Sequence, residues 1–163
     1  MTVDMRSFLQ EIKKTNDVFT VKKRVSTKYE IAAVTEKLDG SKAALFENIK
    51  GNKFKLVSNL VGSRDRFAQA IGSKKSDINQ KIVKAISSAK KPKISASAKF
   101  FENSTNDISI LPVVTHFQNE SGPFITSSIL YTKNQETKSQ NSSIHRLMPV
   151  SYTHLTLPTK RIV

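Results

Sequence analysis

Apolar residues in the first 90 positions recur alternately with helical and with strand spacing. Phe8, Leu9 and Ile12 share one face of a helix over residues 5–14, and the β-branched run at residues 18–21 favours a strand. Ser26 or Thr27 can cap a second helix that runs to about Leu38, and strands are predicted at residues 44–49 and 54–57, joined by a turn at residues 50–52. The same pattern predicts a helix that is capped by Ser63, runs to Ile71 and is stopped by Gly72, and then a helix over residues 77–89. We expect the apolar positions of the last helix to pack in a core: Ile78, Ile82, Val83 and Ile86.

Beyond residue 90 the pattern changes to extended structure. Residues 90–98 lack an apolar stripe and predict a connector. Residues 108–112, 125–132 and 143–148 predict strands, and the polar stretch between the last two, residues 133–141, predicts a β-hairpin in an antiparallel sheet or barrel. The change falls near residues 114–118, which predicts an N-terminal α/β domain at residues 1–115 and the start of a β domain at residues 116–149.

The last residues differ in character from the rest. Val150 to Thr159 can be encoded by GTC TCT TAT ACA CAT CTG ACG CTG CCG ACG, which looks like a transposase-type sequencing adaptor read in frame. We therefore interpret residues 150–163 as a non-native, adaptor-like tail, and we expect the natural protein to continue differently.

Composition narrows the chemistry. The 163 residues include no Cys, which excludes a disulfide scaffold, a thiolate metal site and a cysteine nucleophile within this sequence. No window approaches the roughly 18 apolar residues of a membrane-spanning helix, and residues 1–14 lack the apolar core of a secretory signal. We expect a cytoplasmic protein, with the periphery of a membrane as the alternative location.

The charge is strongly basic, with 27 Lys+Arg against 13 Asp+Glu and a formal net charge of +14. Such an excess is typical of nucleic-acid binders. However, the densest clusters, at residues 22–24, 74–75 and 90–93, have no interleaved aromatic residues on which bases could stack. We favour a solvated basic surface and expect no nucleic-acid partner; the alternative is a small basic nucleic-acid-binding module, whose binding would weaken steeply with salt.

Few residue groups carry chemistry by spacing alone. The sequence has no glycine-rich phosphate loop and no closely spaced His pair, and no nucleophile elbow supports a Ser/His/Asp arrangement. The unusual cluster is at residues 140–146. On a strand, Asn141, Ser143 and His145 would face one way, whereas Ser142, Ile144 and Arg146 would face the other. Taken alone, such residues are typical of a protein surface.

Seven segments, in a consistent order and spacing, carry a resemblance over about residues 4–148. They are MRSFL at 5–9, KYEIAA at 28–33, ALFEN at 44–48, NLVGSR at 59–64, LPVVTHF at 111–117, GPFIT at 122–126 and NSSIHRLM at 141–148. Together they are similar to the UbiD family of decarboxylases. Proteins of this family catalyse reversible, non-oxidative decarboxylation with prenylated FMN, and they consist of an N-terminal α/β domain, a split β-barrel that holds the flavin and a C-terminal domain that mediates oligomerisation.

The resemblance implies a fold and a site. Residues 116–149 would be the incomplete start of the split β-barrel that binds prenylated FMN. Asn141 matches the family's ligand for a divalent metal, usually Mn²⁺, at the cofactor phosphate; K⁺ is a further candidate ion. Ser143, Ile144, His145 and Arg146 match the segment that wraps the flavin, and Arg146 matches the arginine of the catalytic Glu-Arg-Glu network.

The resemblance also implies partners. The substrate would be an aromatic or α,β-unsaturated carboxylic acid, with 4-hydroxy-3-polyprenylbenzoate of ubiquinone biosynthesis as the first candidate. A flavin prenyltransferase would supply the cofactor, and the intact protein would be a homo-oligomer. Since the remaining metal ligands and both glutamates would lie beyond Met148, we expect the 163-residue chain alone to bind flavin weakly and to be inactive.

Overall fold

The polypeptide divides into two structural units whose segments alternate along the sequence. The structure, a computed structural model, describes residues 4–90, 102–151 and 154–156. The first unit comprises Met1–Lys23, Val34–Glu47 and Lys55–Ser104, and the second comprises Arg24–Ala33, Asn48–Phe54 and Thr105–Val163. Each unit contains one three-stranded sheet.

The sheet of the first unit follows the predicted order of elements. Helix α1 spans Met5–Lys14, and the strands are β1 (Val18–Val21), β2 (Ala43–Phe46) and β3 (Leu56–Ser58). Strand β2 pairs in parallel with β1 and antiparallel with β3. Every residue of β2 is buried, and its first residue packs with Phe8 and Ile12 of α1, so the predicted inner face of α1 is confirmed.

The start of α1 is held by a side-chain cap. The Asp4 Oδ1 atom accepts hydrogen bonds from the backbone N–H groups of Ser7 at 3.0 Å and Arg6 at 2.8 Å. Because these donors stabilise the charged carboxylate, they lower the pKa of Asp4.

Three further helices are α2 (Glu30–Lys37), α3 (Arg64–Ala70) and α4 (Ile78–Ser87). The prediction that Ser26 or Thr27 caps α2 is wrong, because the helix begins at Glu30. The Ser26 N–H donates to Glu30 Oε2 at 2.7 Å, and Tyr29 has a φ of 70°, so a turn precedes the helix. For α3 the prediction is confirmed: Ser63 Oγ accepts from the Arg66 N–H at 3.2 Å.

The prediction of a core-facing stripe on α4 is wrong beyond its first residue. Ile78 is buried, whereas Ile82, Val83 and Ile86 are 39%, 64% and 74% exposed. Helix α4 contacts the short 3₁₀ turn Lys75–Asp77 that precedes it, but among the described residues nothing covers the stripe beyond Ile78. Helical periodicity therefore predicts which side chains form the apolar face of α4, but it does not predict whether that face is buried.

The second unit carries the predicted hairpin. Strands β4 (Ile125–Lys133) and β5 (Gln140–Pro149) pair antiparallel, and β5 pairs at its end with β6 (Leu155–Thr156). The loop between β4 and β5 is closed by Asn134, whose Oδ1 accepts from the backbone N–H groups of Glu136 and Thr137 at 2.8 Å. The core of this unit includes five buried apolar residues: Val25, Ile31, Ile49, Val114 and Phe124.

Two boundaries in this unit differ from expectation. Residues 108–112 were predicted to be extended, but Ile108–Ile110 form a 3₁₀ turn because Asp107 Oδ1 accepts from the Ser109 N–H at 2.9 Å. The bonds from Ser109 lower the pKa of Asp107. In addition, β5 begins at Gln140, so Asn141 lies within the strand and not in the loop.

The remaining expectations concern the connector, membrane-spanning helices and the split barrel. All but the first residue of the predicted connector, residues 90–98, lie outside the described residues. None of the helices formed by the described residues is long and apolar enough to cross a membrane. The α/β class is confirmed, whereas the split barrel stays a prediction.

Candidate functional site

The register between β4 and β5 fixes which side chains share a face of the hairpin, since directly paired residues of antiparallel strands point the same way. One face carries three pairs: Ser128–His145, Leu130–Ser143 and Thr132–Asn141. The other carries Ile129–Ile144, Tyr131–Ser142 and Lys133–Gln140. The predicted alternation, with Asn141, Ser143 and His145 on one face, is confirmed.

The first face is rich in polar groups, and we call it the polar face. His145 Nε2 lies 3.0 Å from Ser143 Oγ, within hydrogen-bonding distance. Ser128, the partner of His145 across the strands, has a buried Oγ for which no hydrogen-bond partner is found among the described residues. A buried hydroxyl without a partner is costly, so this face is suited to a polar ligand that would satisfy it.

The opposite face carries exposed apolar side chains together with polar and charged ones, among them Arg146, and we call it the Arg146 face. Ile129, Tyr131 and Ile144 are 56%, 80% and 78% exposed. The guanidinium carbon of Arg146 lies 4.7 Å from the centre of the Phe124 ring. Within the part of the chain that the structure describes, no carboxylate pairs with Arg146. The face therefore combines apolar surface with an unneutralised positive charge.

The structure does not bring all the predicted site residues onto one face. Asn141 and Arg146 are five positions apart on β5, hence on opposite faces and about 16–17 Å apart along the strand. However, β6 pairs only with Met148 and Pro149, so among the described residues one edge of β5 has no strand partner from Gln140 to Leu147. A ligand lying along that edge would meet side chains from both faces.

A β-bulge lies beside Arg146. Ile125 pairs with Leu147 and Ser128 with His145, so three steps along β4 oppose two steps along β5. Such a bulge bends the strand and redirects its side chains. Phe124, directly before β4, and Arg146 lie at this irregular end of the hairpin.

Asn141 is the side chain of this hairpin that the resemblance implies as a metal ligand. Asn141 offers a neutral amide oxygen, which is a suitable ligand for a hard divalent cation. No group of three or more His, Cys, Asp or Glu side chains that could hold a metal occurs among residues 4–90, 102–151 and 154–156. A metal held by Asn141 would therefore need further ligands from elsewhere.

A cavity of about 430 Å³ in the second unit was not anticipated from the sequence. Its walls include Lys50, Leu111, Pro123 and Pro149. The sequence predicts a turn at residues 50–52, and Gly51 has a φ of 74° there, but the pattern does not indicate a cavity wall. Sequence reasoning also missed Ser128 and Phe124; the one signal for Phe124 was its place in the GPFIT segment.

Comparison with known proteins identifies the class. Residues 9–86 match the family model of the 3-octaprenyl-4-hydroxybenzoate carboxy-lyase N-terminal domain, and residues 88–161 match that of the Rift-related domain of the same carboxy-lyase. The fold is that of UbiD-class enzymes: the chain is similar to HmfF from Pelotomaculum thermopropionicum in complex with FMN, with a TM-score of 0.90 and 28% identity over 96% of this chain and 36% of that one.

Two further relatives support the same family assignment. An evolved dimeric form of HmfF in complex with prFMN gives a TM-score of 0.84 at 26% identity, covering 96% of this chain and 38% of that one. Anhydromevalonate phosphate decarboxylase from Methanothermobacter thermautotrophicus is 25% identical over 146 residues, 90% of this chain and 34% of that protein. This chain belongs to the UbiD family, and it spans about a third of the length of these relatives.

The second family match overlaps the predicted adaptor-like tail. It extends to residue 161, into the stretch that the sequence predicts to be adaptor-derived. The foreign origin of residues 150–163 and the domain limits at residues 115 and 149 stay predictions.

Proposed function

We propose that this chain carries the N-terminal part of a carboxy-lyase that removes CO₂ without oxidation from an aromatic or α,β-unsaturated acid, with prenylated FMN as cofactor. One observation carries the proposal: the unpaired guanidinium of Arg146 stands on a fold that matches, over 96% of the chain, an enzyme in complex with FMN. A decarboxylase among the relatives supports the reaction class.

The residues of the hairpin suit these groups in part. Asn141 Oδ1 would serve as one ligand of a divalent cation, with Mn²⁺ as the first candidate and K⁺ as a further ion in the site. Ser143 and His145 would offer hydrogen bonds on the polar face, and the exposed Ile144 would offer apolar contact on the other. The hydroxyl of Ser128, buried without a described partner, fits a polar ligand on that face.

Prenylated FMN, when bound, supplies the electron sink for the bond pair left on carbon as CO₂ departs. The protein's part is positioning. Enzymes typically lower barriers by about 8–23 kcal/mol, whereas a hydrogen bond to a charged group contributes roughly 1.5–3 kcal/mol. Arg146 therefore does not provide the acceleration alone; its planar fork would hold the substrate carboxylate and orient the acid that later protonates the product.

The proposal extends to the intact protein. The hairpin would be the first part of a split β-barrel, the intact protein would be a cytoplasmic homo-oligomer or one at the periphery of a membrane, and a flavin prenyltransferase would supply the cofactor. The substrate is proposed only as a class, with 4-hydroxy-3-polyprenylbenzoate as its first candidate.

The test uses the protein read from the parent gene past residue 149, co-expressed with a flavin prenyltransferase. We expect CO₂ release from a member of a panel of aromatic and unsaturated acids, and we expect Arg146→Lys to lower it by about 100-fold or more, because the bidentate fork is lost. Arg24→Lys, the same change at an exposed arginine outside the hairpin, is the control. Turnover unchanged in Arg146→Lys, or no turnover of any acid, would contradict the proposal.

A further inference from the structure

Phe124 is fixed in place by both its backbone and its side chain. Its N–H donates to the Val114 carbonyl at 3.0 Å, and its ring is only 4% exposed. Since Ile125 pairs with Leu147, Phe124 and Arg146 are diagonal neighbours on one face of the hairpin. The ring is therefore a rigid platform beneath an otherwise exposed arginine.

The guanidinium carbon of Arg146 lies over the Phe124 ring, 4.7 Å from its centre. A cation over an aromatic ring is attracted through the ring's π face, and an arginine can stack there with its plane against the ring. The five N–H donors of arginine lie in the guanidinium plane. None of these donors has a partner among the described residues, so stacking leaves the whole donor edge free.

We infer that Phe124 is a positioning residue: it holds the guanidinium plane of Arg146 so that its free edge receives the substrate carboxylate. This inference rests on the proposed function, which assigns the carboxylate to Arg146. An unstacked arginine samples many rotamers, and ordering it on binding weakens affinity. Stacking on a buried ring orders the guanidinium before the acid arrives.

The first experiment does not depend on activity. In the 163-residue protein, the Nε–Hε signal of Arg146 is recorded by NMR and assigned with Arg146→Lys. We expect the ring current of Phe124 to displace this signal from its free-arginine position. Phe124→Leu and Phe124→Met should abolish the displacement, Phe124→Tyr should preserve it, and Phe117→Leu, at an exposed phenylalanine of the same unit, should leave it unchanged.

The second experiment adds 4-hydroxybenzoate as the probe to the protein read from the parent gene past residue 149, which contains the rest of the proposed site. We expect it to shift the Arg146 signal of the wild type, and we expect affinity about two- to fivefold weaker in Phe124→Leu and Phe124→Met, with near wild-type affinity in Phe124→Tyr.

The outcomes distinguish the positioning role of Phe124 from the carboxylate-binding role of Arg146. An Arg146 signal that is the same in the wild type and in a folded Phe124→Leu or Phe124→Met variant overturns the positioning role. A displaced signal that does not respond to 4-hydroxybenzoate in the wild type overturns the carboxylate role of the proposed function, while the ring-current comparison still decides whether Phe124 orders Arg146.

Discussion

At the scale of single residues, Arg66 shows how a charged side chain is used inside the first unit. It is 3% exposed, and its guanidinium donates to three backbone carbonyls: Nε to Leu60 at 3.3 Å, Nη2 to Asn59 at 3.2 Å, and Nη1 to Ser41. Asn59 has a φ of 52°, a conformation that asparagine tolerates well. The guanidinium thus ties this turn to the segment before β2.

Replacing Arg66 by lysine should destabilise the protein. Lysine keeps the charge but loses the planar fork, so buried carbonyls are left without donors, and we expect a loss of about 1–3 kcal/mol in the free energy of unfolding. Urea unfolding followed by circular dichroism measures it. Arg64→Lys, at an exposed position of the same helix, should change stability by no more than about 0.5 kcal/mol. Equal losses in both variants would show that the carbonyl bonds contribute nothing.

Sequence reasoning placed Arg66 correctly on a helix but did not identify it as buried. Arginine is rarely found inside proteins, and its partners here are backbone carbonyls, which carry no sequence signature. Phe124 was missed for the same reason, because its ring contacts Arg146, which lies 22 positions away in the sequence.

At the scale of elements, the β4–β5 hairpin exposes both apolar side chains and a strand edge that has no described partner. Two long strands carry apolar side chains open to solvent, and along Gln140–Leu147 one edge of β5 has no partner among the described residues. Free edges without charged residues promote association between chains. From Gln140 to Ile144 this edge strand has no charged residue.

We therefore expect the purified chain to associate through this hairpin as its concentration rises. Ile144→Lys places a charge on the exposed strand and should reduce association, which sedimentation velocity measures. Ile86→Lys on α4 is the matched control, since Ile86 is 74% exposed and Ile144 is 78% exposed. If the helix variant suppressed association and the strand variant did not, the apolar stripe of α4 would be the contact surface instead.

Elements with local signals were predictable. Helix α3 has a serine cap at its start and Gly72, with a φ of 64°, after its end. The hairpin followed from alternating residues around a polar loop. The 3₁₀ turn after Asp107 was missed because one side-chain hydrogen bond overrode an apolar run, and the exposure of α4 was missed because periodicity does not reveal what an apolar face meets.

At the scale of the whole molecule, the family was recognisable from seven ordered segments, and the matches over residues 9–86 and 88–161 confirm it. The interleaving of the two structural units was not foreseeable. Residues 24–33 and 48–54 join the unit formed by the later part of the chain, and such long-range association leaves no periodic signal. The residues predicted for the site lie on one strand, β5, and alternate between its two faces as the strand pattern predicts. That they form a cofactor site stays a prediction.

In the proposed function, the flavin would lie along the edge of β5 that has no described strand partner, where it would meet both faces of the hairpin. The most direct measurement is a crystal structure of the protein read from the parent gene, loaded with prenylated FMN and Mn²⁺, with the metal located by anomalous scattering. We expect Asn141 Oδ1 to be a ligand of the manganese and Arg146 to lie beside the flavin. A flavin bound elsewhere, with neither residue in contact with cofactor or metal, would contradict the proposal.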